Sequence, residues 1–306
     1  MEHECFEVKI RGGVSKVSRQ TFDGTNELAK YIKTTKVSSL WKGHTQGSKD
    51  KKTDDWNDFA TLEDATEALE YGTDIYYKDF KKNIKKVQDF LSKREKNKVA
   101  SYKNNRVGFL PIVPKVLQGN PINMIDQDIK PKPYPTARIL IEKSNSCLVK
   151  SSAMNEYYAI IFVLIQLLEN RGIRCEVWVT ETSCQYQEIV CTKVKLKNYM
   201  QPLNTYKIQF PIIASDFLRR ICFRMIETNP DIKSDWFFGY GSPLTRIASL
   251  QENKKEIYEI VGIEENDIYI PSCQNFGYEE DDDLEETIEK IIEQTNLKNY
   301  IKLIEQ

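Results

Sequence analysis

Glu142, Ser144 and Ser146 alternate along the chain at the end of the apolar run 137–142. In extended backbone, positions two apart leave the same side. One carboxylate and two hydroxyls would then share a face. These are hard oxygen donors, the kind Mg²⁺ takes at about 2.1 Å in an octahedron while keeping several waters. Magnesium at Glu142, Ser144 and Ser146 is the sharpest chemistry these residues offer. The plainer reading has Glu142 facing Lys143 or Lys150, the serines bonding loop amides, and Asp216 capping a helix. Short motifs of this kind often arise by chance. The expectation is therefore no cofactor, with Mg²⁺ as the alternative.

Other reactive residue types are scattered. Seven cysteines, at 5, 147, 175, 184, 191, 222 and 273, form no C-x-x-C pair. The two histidines, His3 and His44, stand away from any cysteine pair, so zinc is not expected. The cysteines read as reduced and structural, as in a cytosol. A Cys–His nucleophile could draw only on His3 or His44, both outside the expected α/β part. No G-x-S-x-G, Walker A or G-x-G-x-x-G sequence occurs. Arg219 and Arg220 lie on one predicted helix and could hold a phosphate or a partner carboxylate. Between Lys78 and Arg106, eleven Lys/Arg face three acids. Lys81, Lys82, Lys85, Lys86, Lys93 and Arg94 could track a phosphate backbone, although a solvated basic face is the simpler reading. The segment 279–289 holds eight acids and no base. It could answer the basic region within one molecule or between subunits, in a salt-dependent way.

The elements that must position these groups follow from periodicity. The first third is mixed. A hairpin is expected around Gly12–Gly13, a short helix at "ELAKYIKTT", and a capped helix at "TLEDATEALEYG". The stretch 105–136 is shaped by Pro and Gly, with one helical turn at Pro114 to Leu117 and an extended linker at 131–136. Its middle is expected to lie across the α/β part and join the two halves. After the linker, strands and helices alternate: "ARILIEK" strand, "AMNEYYAIIFVLIQLLENRG" helix, "IRCEVWVTE" and "EIVCTKVKLK" as a hairpin, "NTYKIQFPIIA" strand, "SDFLRRICFRMIET" helix, and so on to a closing helix. That alternation predicts a doubly wound α/β sheet with one antiparallel strand at an edge. The division is 1–130, a mixed and mainly helical region; 131–136, a linker; and 137–306, the α/β domain.

Net charge is −1 over 306 residues. No global field therefore argues for nucleic acid or an anionic membrane. The N-terminal "MEHECFEVKI" lacks the basic and apolar regions of a secretory signal. The apolar run "YYAIIFVLI" falls short of a span. No membrane partner is expected.

Two resemblances add to this. The 137–306 region resembles the von Willebrand factor A fold, in which a first strand ends in Asp-x-Ser-x-Ser and holds a divalent cation. Here Glu142, Ser144 and Ser146 match that motif, with Glu in place of Asp. Asp216 matches the family's later Asp, and the family's threonine loop has no counterpart in 198–204. "WKG" at Trp41, "TLEDATEALEYG", "VGFLPIVPKVLQGNPINMI" and "ASDFLRRICFRMIE", in that order, are similar to a family of uncharacterised bacteriophage proteins. That resemblance implies a phage origin and host-cell cytoplasm, and no reaction. The combined expectation is a non-enzymatic protein that binds a protein partner or itself, with Glu142 to Ser146, Asp216, Arg219 and Arg220 near the contact. Nucleic-acid binding through the basic region is the alternative, and metal-dependent hydrolysis the second alternative.

Overall fold

The computed structural model describes residues 1–10, 12–41, 44–51, 56–76, 102–108, 110–127, 135–233, 236, 239–248, 250, 252–279, 282–298 and 300. The chain is mixed α/β. Its central sheet combines parallel pairings with an antiparallel part. The strands are β1 (Glu2–Ile10), β2 (Gly13–Phe22), β6 (Thr136–Glu142), β7 (Arg174–Gln185), β8 (Glu188–Lys197), β9 (Ser242–Pro243) and β10 (Ile268–Ile270), in the order β1-β2-β8-β7-β6-β10 with β9 on β7. Parallel pairings join β2 to β8, β6 to β7 and β10 to β6. Antiparallel ones join β1 to β2, β7 to β8 and β7 to β9. A separate small sheet holds β3 (Tyr102–Asn105), β5 (Met124–Gln127) and β4 (Leu110–Pro111).

Alternation along β6 sets which side chain faces which layer. Ile139 and Ile141 point into the larger core, with the helix Ser151–Asn170 and the helices Thr25–Thr34, Leu62–Tyr71 and Thr205–Ile213. Leu140 points the other way, against the helix Lys254–Val261. The helix Ser151–Asn170 is long and apolar enough to cross a membrane by length and composition, but it is mostly buried within the protein. It is wet only at its ends because sheet and helices cover it on all sides.

Several local expectations hold. The hairpin turns at Gly12 and Gly13, with Ile10 opposite Gly13, and Gly12 adopts φ 75° to make the turn. Thr61 and Asp64 form a reciprocal capping box on Leu62–Tyr71. Three expectations change. The strand read at "NTYKIQFPIIA" is the helix Thr205–Ile213, capped by the Asn204 side chain on the Lys207 N–H. Its β-branched run reads as strand locally, but burial between two other helices overrides propensity. The antiparallel strand expected at an edge is internal, because β8 is flanked by β7 and β2. The hairpin of the first part thus belongs to the same sheet as the strands beyond 136.

The proline- and glycine-shaped segment does not lie across the α/β body. It folds on itself as β3, β4, the turn of helix Val113–Leu117 and β5, and none of its described side chains is buried.

Candidate functional site

Glu142 ends β6 and is fully buried. Its carboxylate crosses to β7 and β10. Oε1 accepts from the Ser144 N–H at 3.1 Å, the Thr182 N–H at 3.2 Å and the Ser144 hydroxyl. Oε2 accepts from Thr180 Oγ1 at 3.0 Å and from the Tyr269 hydroxyl at 3.3 Å. The extra methylene of Glu over Asp gives the reach to do this. Burial, opposed by these hydrogen bonds, holds the Glu142 carboxyl above its ordinary range.

The loop beyond is fastened in the same way. Asn145 Nδ2 donates to the Lys143 carbonyl at 2.9 Å and to the Tyr158 hydroxyl at 3.1 Å. The Ser146 N–H donates to Gln274 Oε1 at 2.8 Å, and the Gln274 N–H returns a bond to Asn145 Oδ1 at 2.9 Å. Lys143 points to the opposite face of the sheet. Its ammonium donates to the Ile212 carbonyl at 2.7 Å and stands 3.5 Å from the Tyr158 ring centroid. Burial pushes its pKa well below the usual lysine range. It is not the surface partner of Glu142 that a loop reading implied.

On that same face, Glu181 is buried and accepts the Ser183 hydroxyl, while its Oε2 has no hydrogen-bond partner among the described residues. Burial pushes its carboxyl up to about 8. A solitary buried carboxylate is costly, and protonation is how the group relieves the cost.

Asp216 does not join Glu142 and Ser144, and Ser146 bonds elsewhere. Asp216 belongs to the large-core side of the sheet. Its Oδ1 accepts from Arg220 Nε at 2.8 Å, and Oδ2 accepts from the Asp58 N–H at 2.6 Å and the Phe59 N–H at 3.3 Å. It makes no side-chain cap on its own helix, whose first six residues, Phe217–Cys222, are a π segment. The four residues expected to share a cation therefore stand on different elements, and only Glu142 and Ser144 meet. The reason is the strand's two-residue period, which sends Glu142 away from the face where Asp216 sits.

Arg219 and Arg220 are also buried, at 1% and 0% exposure. Arg220 donates to the Phe59 carbonyl at 2.7 Å and to those of Ala60 and Ser48 at 3.1 Å. Arg219 lies 4.0 Å from the Trp56 ring centroid and donates to the Trp56 and Val149 carbonyls. These planar forks tie Ser48, Trp56, Phe59 and Ala60 to the α/β body. Both are turned inward, away from the surface. Lys81, Lys82, Lys85, Lys86, Lys93 and Arg94 lie outside the described residues.

The surface that does face outward is the arm 102–127. Val107 (77%), Leu117 (82%) and Val113 (61%) are the most exposed, and Leu110, Val116 and Ile122 are also exposed. Gly108 is essential to its shape, since a Cβ there would stand 2.1 Å from the Ile125 carbonyl oxygen. Among the described residues β3 pairs on one side only, with β5, and so presents an edge. This outward placement differs from the expectation that the segment lies across the α/β part. The signal was present: Val and Leu stand between prolines with no period that would bury one face.

A second outward cluster comprises His3, Cys5 and Asp231, whose ligating atoms lie within 4.8 Å of one another. The sequence kept these apart because β1 was not assigned to the main sheet and Asp231 lies 226 positions from Cys5. The available signal was His-x-Cys on one strand, which puts both side chains on one face.

A family model described as "Domain of unknown function (DUF7192)" matches residues 4–299, and the chain belongs to that family. No curated protein matches it. No solved structure matches it.

Proposed function

We propose that this member of the DUF7192 family is a non-enzymatic binding protein that associates through the 102–127 arm, and that the partner is a second copy of itself. One observation carries the reading: the arm exposes six large apolar side chains and has no described buried residue of its own. Exposed large apolar side chains concentrated on one short segment point to an interaction site, and a sheet this small gains stability by packing on something else. Covering the six would contribute roughly 5–11 kcal/mol, about the cost of bringing two proteins together. A two-fold contact uses each arm on both sides and doubles that contribution. The arm's Arg106 and Lys115 also complement the acidic 279–289 of another copy.

The succession of strand, long helix and hairpin with an antiparallel strand supports likening 137–306 to the von Willebrand A fold, with the hairpin β1–β2 added beyond it. The Glu142 box, served entirely by protein donors, supports a structural role for its rim rather than magnesium binding. The phage source and host-cytoplasm setting rest on resemblance alone.

Light scattering on the full chain over a range of concentrations tests the proposal. A dimer is expected, converted to monomer by Leu110→Asp with Leu117→Asp while circular dichroism remains that of the folded chain. A wild-type monomer throughout, or a dimer indifferent to these changes, would overturn it.

A further inference from the structure

Strand β1 places His3 and Cys5 two residues apart, on one face of an edge strand. Asp231 reaches them from the loop after the helix Phe223–Thr228. Its Oδ2 lies 2.6 Å from His3 Nε2 and 3.2 Å from Cys5 Sγ, and Sγ lies 3.8 Å from Nε2. The carboxylate is held in place by other groups as well. Ser18, opposite Cys5 in the hairpin, donates its hydroxyl to Asp231 Oδ2 at 2.8 Å. Asn229 Nδ2 reaches Ser18 Oγ at 3.0 Å, and the Asp231 N–H donates to Asn229 Oδ1 at 2.9 Å. A buried serine and a buried asparagine thus hold a half-buried carboxylate beside an exposed imidazole and thiol.

We propose that His3, Cys5 and Asp231 form a binding site for a divalent zinc-type cation, with Ser18 as a positioning residue. In tetrahedral zinc sites the metal stands about 2.0–2.3 Å from nitrogen, oxygen and sulfur ligands. Ligand atoms then lie roughly 3.3–3.6 Å apart by tetrahedral geometry. The three observed separations bracket that spacing. Less than about 1 Å of movement at His3 and Cys5 completes the triangle, and both are side chains on the outermost strand. A sulfur and an imidazole ligand select zinc-like ions over Mg²⁺ and Ca²⁺, which prefer oxygen alone. On binding, the Cys5 S–H bond breaks, its proton leaves to solvent, and the sulfur electron pair forms the bond to the metal. Three protein ligands leave a fourth position, which water fills. The site borders a cleft of about 330 Å³ that Cys5, Ser18 and Asp231 line together with Lys16, Glu188 and Lys233. The cleft gives an added ligand a way in.

Cobalt substitution tests this on the full chain without a polyhistidine tag. The apoprotein titrated with Co²⁺ should show visible bands of a four-coordinate ion and a thiolate-to-cobalt charge-transfer band, saturating at one ion per chain. Zn²⁺ should displace it. Cys5→Ser should abolish the charge-transfer band, and His3→Ala and Asp231→Asn should each weaken binding at least as much as Ser18→Ala. For Ser18→Ala the expected loss is roughly 10–100-fold in affinity. Circular dichroism of each variant reports that it still folds. A wild-type spectrum without the thiolate band, or affinity unchanged in Cys5→Ser and Asp231→Asn, would leave these residues as a hydrogen-bonded ion pair and overturn the proposal.

Discussion

Replacing Glu181 with glutamine is expected to change how stability depends on pH more than stability itself. In the unfolded chain a glutamic acid loses its proton near about pH 4.3. In the folded protein burial pushes Glu181 up to about 8. Between those values the native state keeps a proton that the unfolded state has released, so stability falls as pH rises. The group's favourable contribution is complete below the lower value and lost through the upper one. Each unit in that window corresponds to about 1.4 kcal/mol. From pH 5 to pH 7.5 the wild type should therefore lose roughly 3 kcal/mol relative to Glu181→Gln, which cannot titrate. Glutamine keeps an oxygen for the Ser183 hydroxyl, so the comparison isolates the charge. Urea unfolding of both proteins at half-unit steps of pH measures the difference directly. Glu142 and Lys143 titrate in both proteins, and their effects cancel to the extent that the substitution leaves them alone. Parallel stability–pH curves, or a wild type that gains on the variant as pH rises, would refute the argument that Glu181 is neutral in the folded state at pH 7.

Asp216→Ala should cost about 3–5 kcal/mol in denaturant unfolding, because it leaves the buried Arg220 guanidinium without its carboxylate. Asp216→Asn, which retains an acceptor for the Asp58 and Phe59 amides, should cost less; equal losses would discount the ion pair. Thr61→Ala should cost about 1 kcal/mol by removing one half of the capping box, with faster hydrogen exchange confined to the first turn of Leu62–Tyr71.

What the sequence determined by itself was local and periodic. Thr61 and Asp64 specify a helix start, Gly12–Gly13 a tight turn, and the apolar run in Ser151–Asn170 a core helix, because each signal is complete within a few residues. The hairpin β7–β8 belongs to the same class, its strands joined by two residues. The strand end at Glu142 was also legible as a polar constellation. Its meaning was not, because the carboxylate's partners Thr180, Thr182 and Tyr269 come from strands whose adjacency only the assembled sheet creates. Arg219 and Arg220, on one predicted helix, read as holders of a phosphate or a partner carboxylate. They are buried because carbonyls of a distant irregular stretch satisfy their donors, and such pairings leave no mark in the local pattern. The helix at Thr205–Ile213 likewise depended on neighbours that override strand propensity. His3, Cys5 and Asp231 make the same point from the outside. His3 and Cys5 stand two apart in the sequence, but Asp231 arrives through the fold, when β2 pairs with β8 and brings the hairpin beside the loop that follows Thr228.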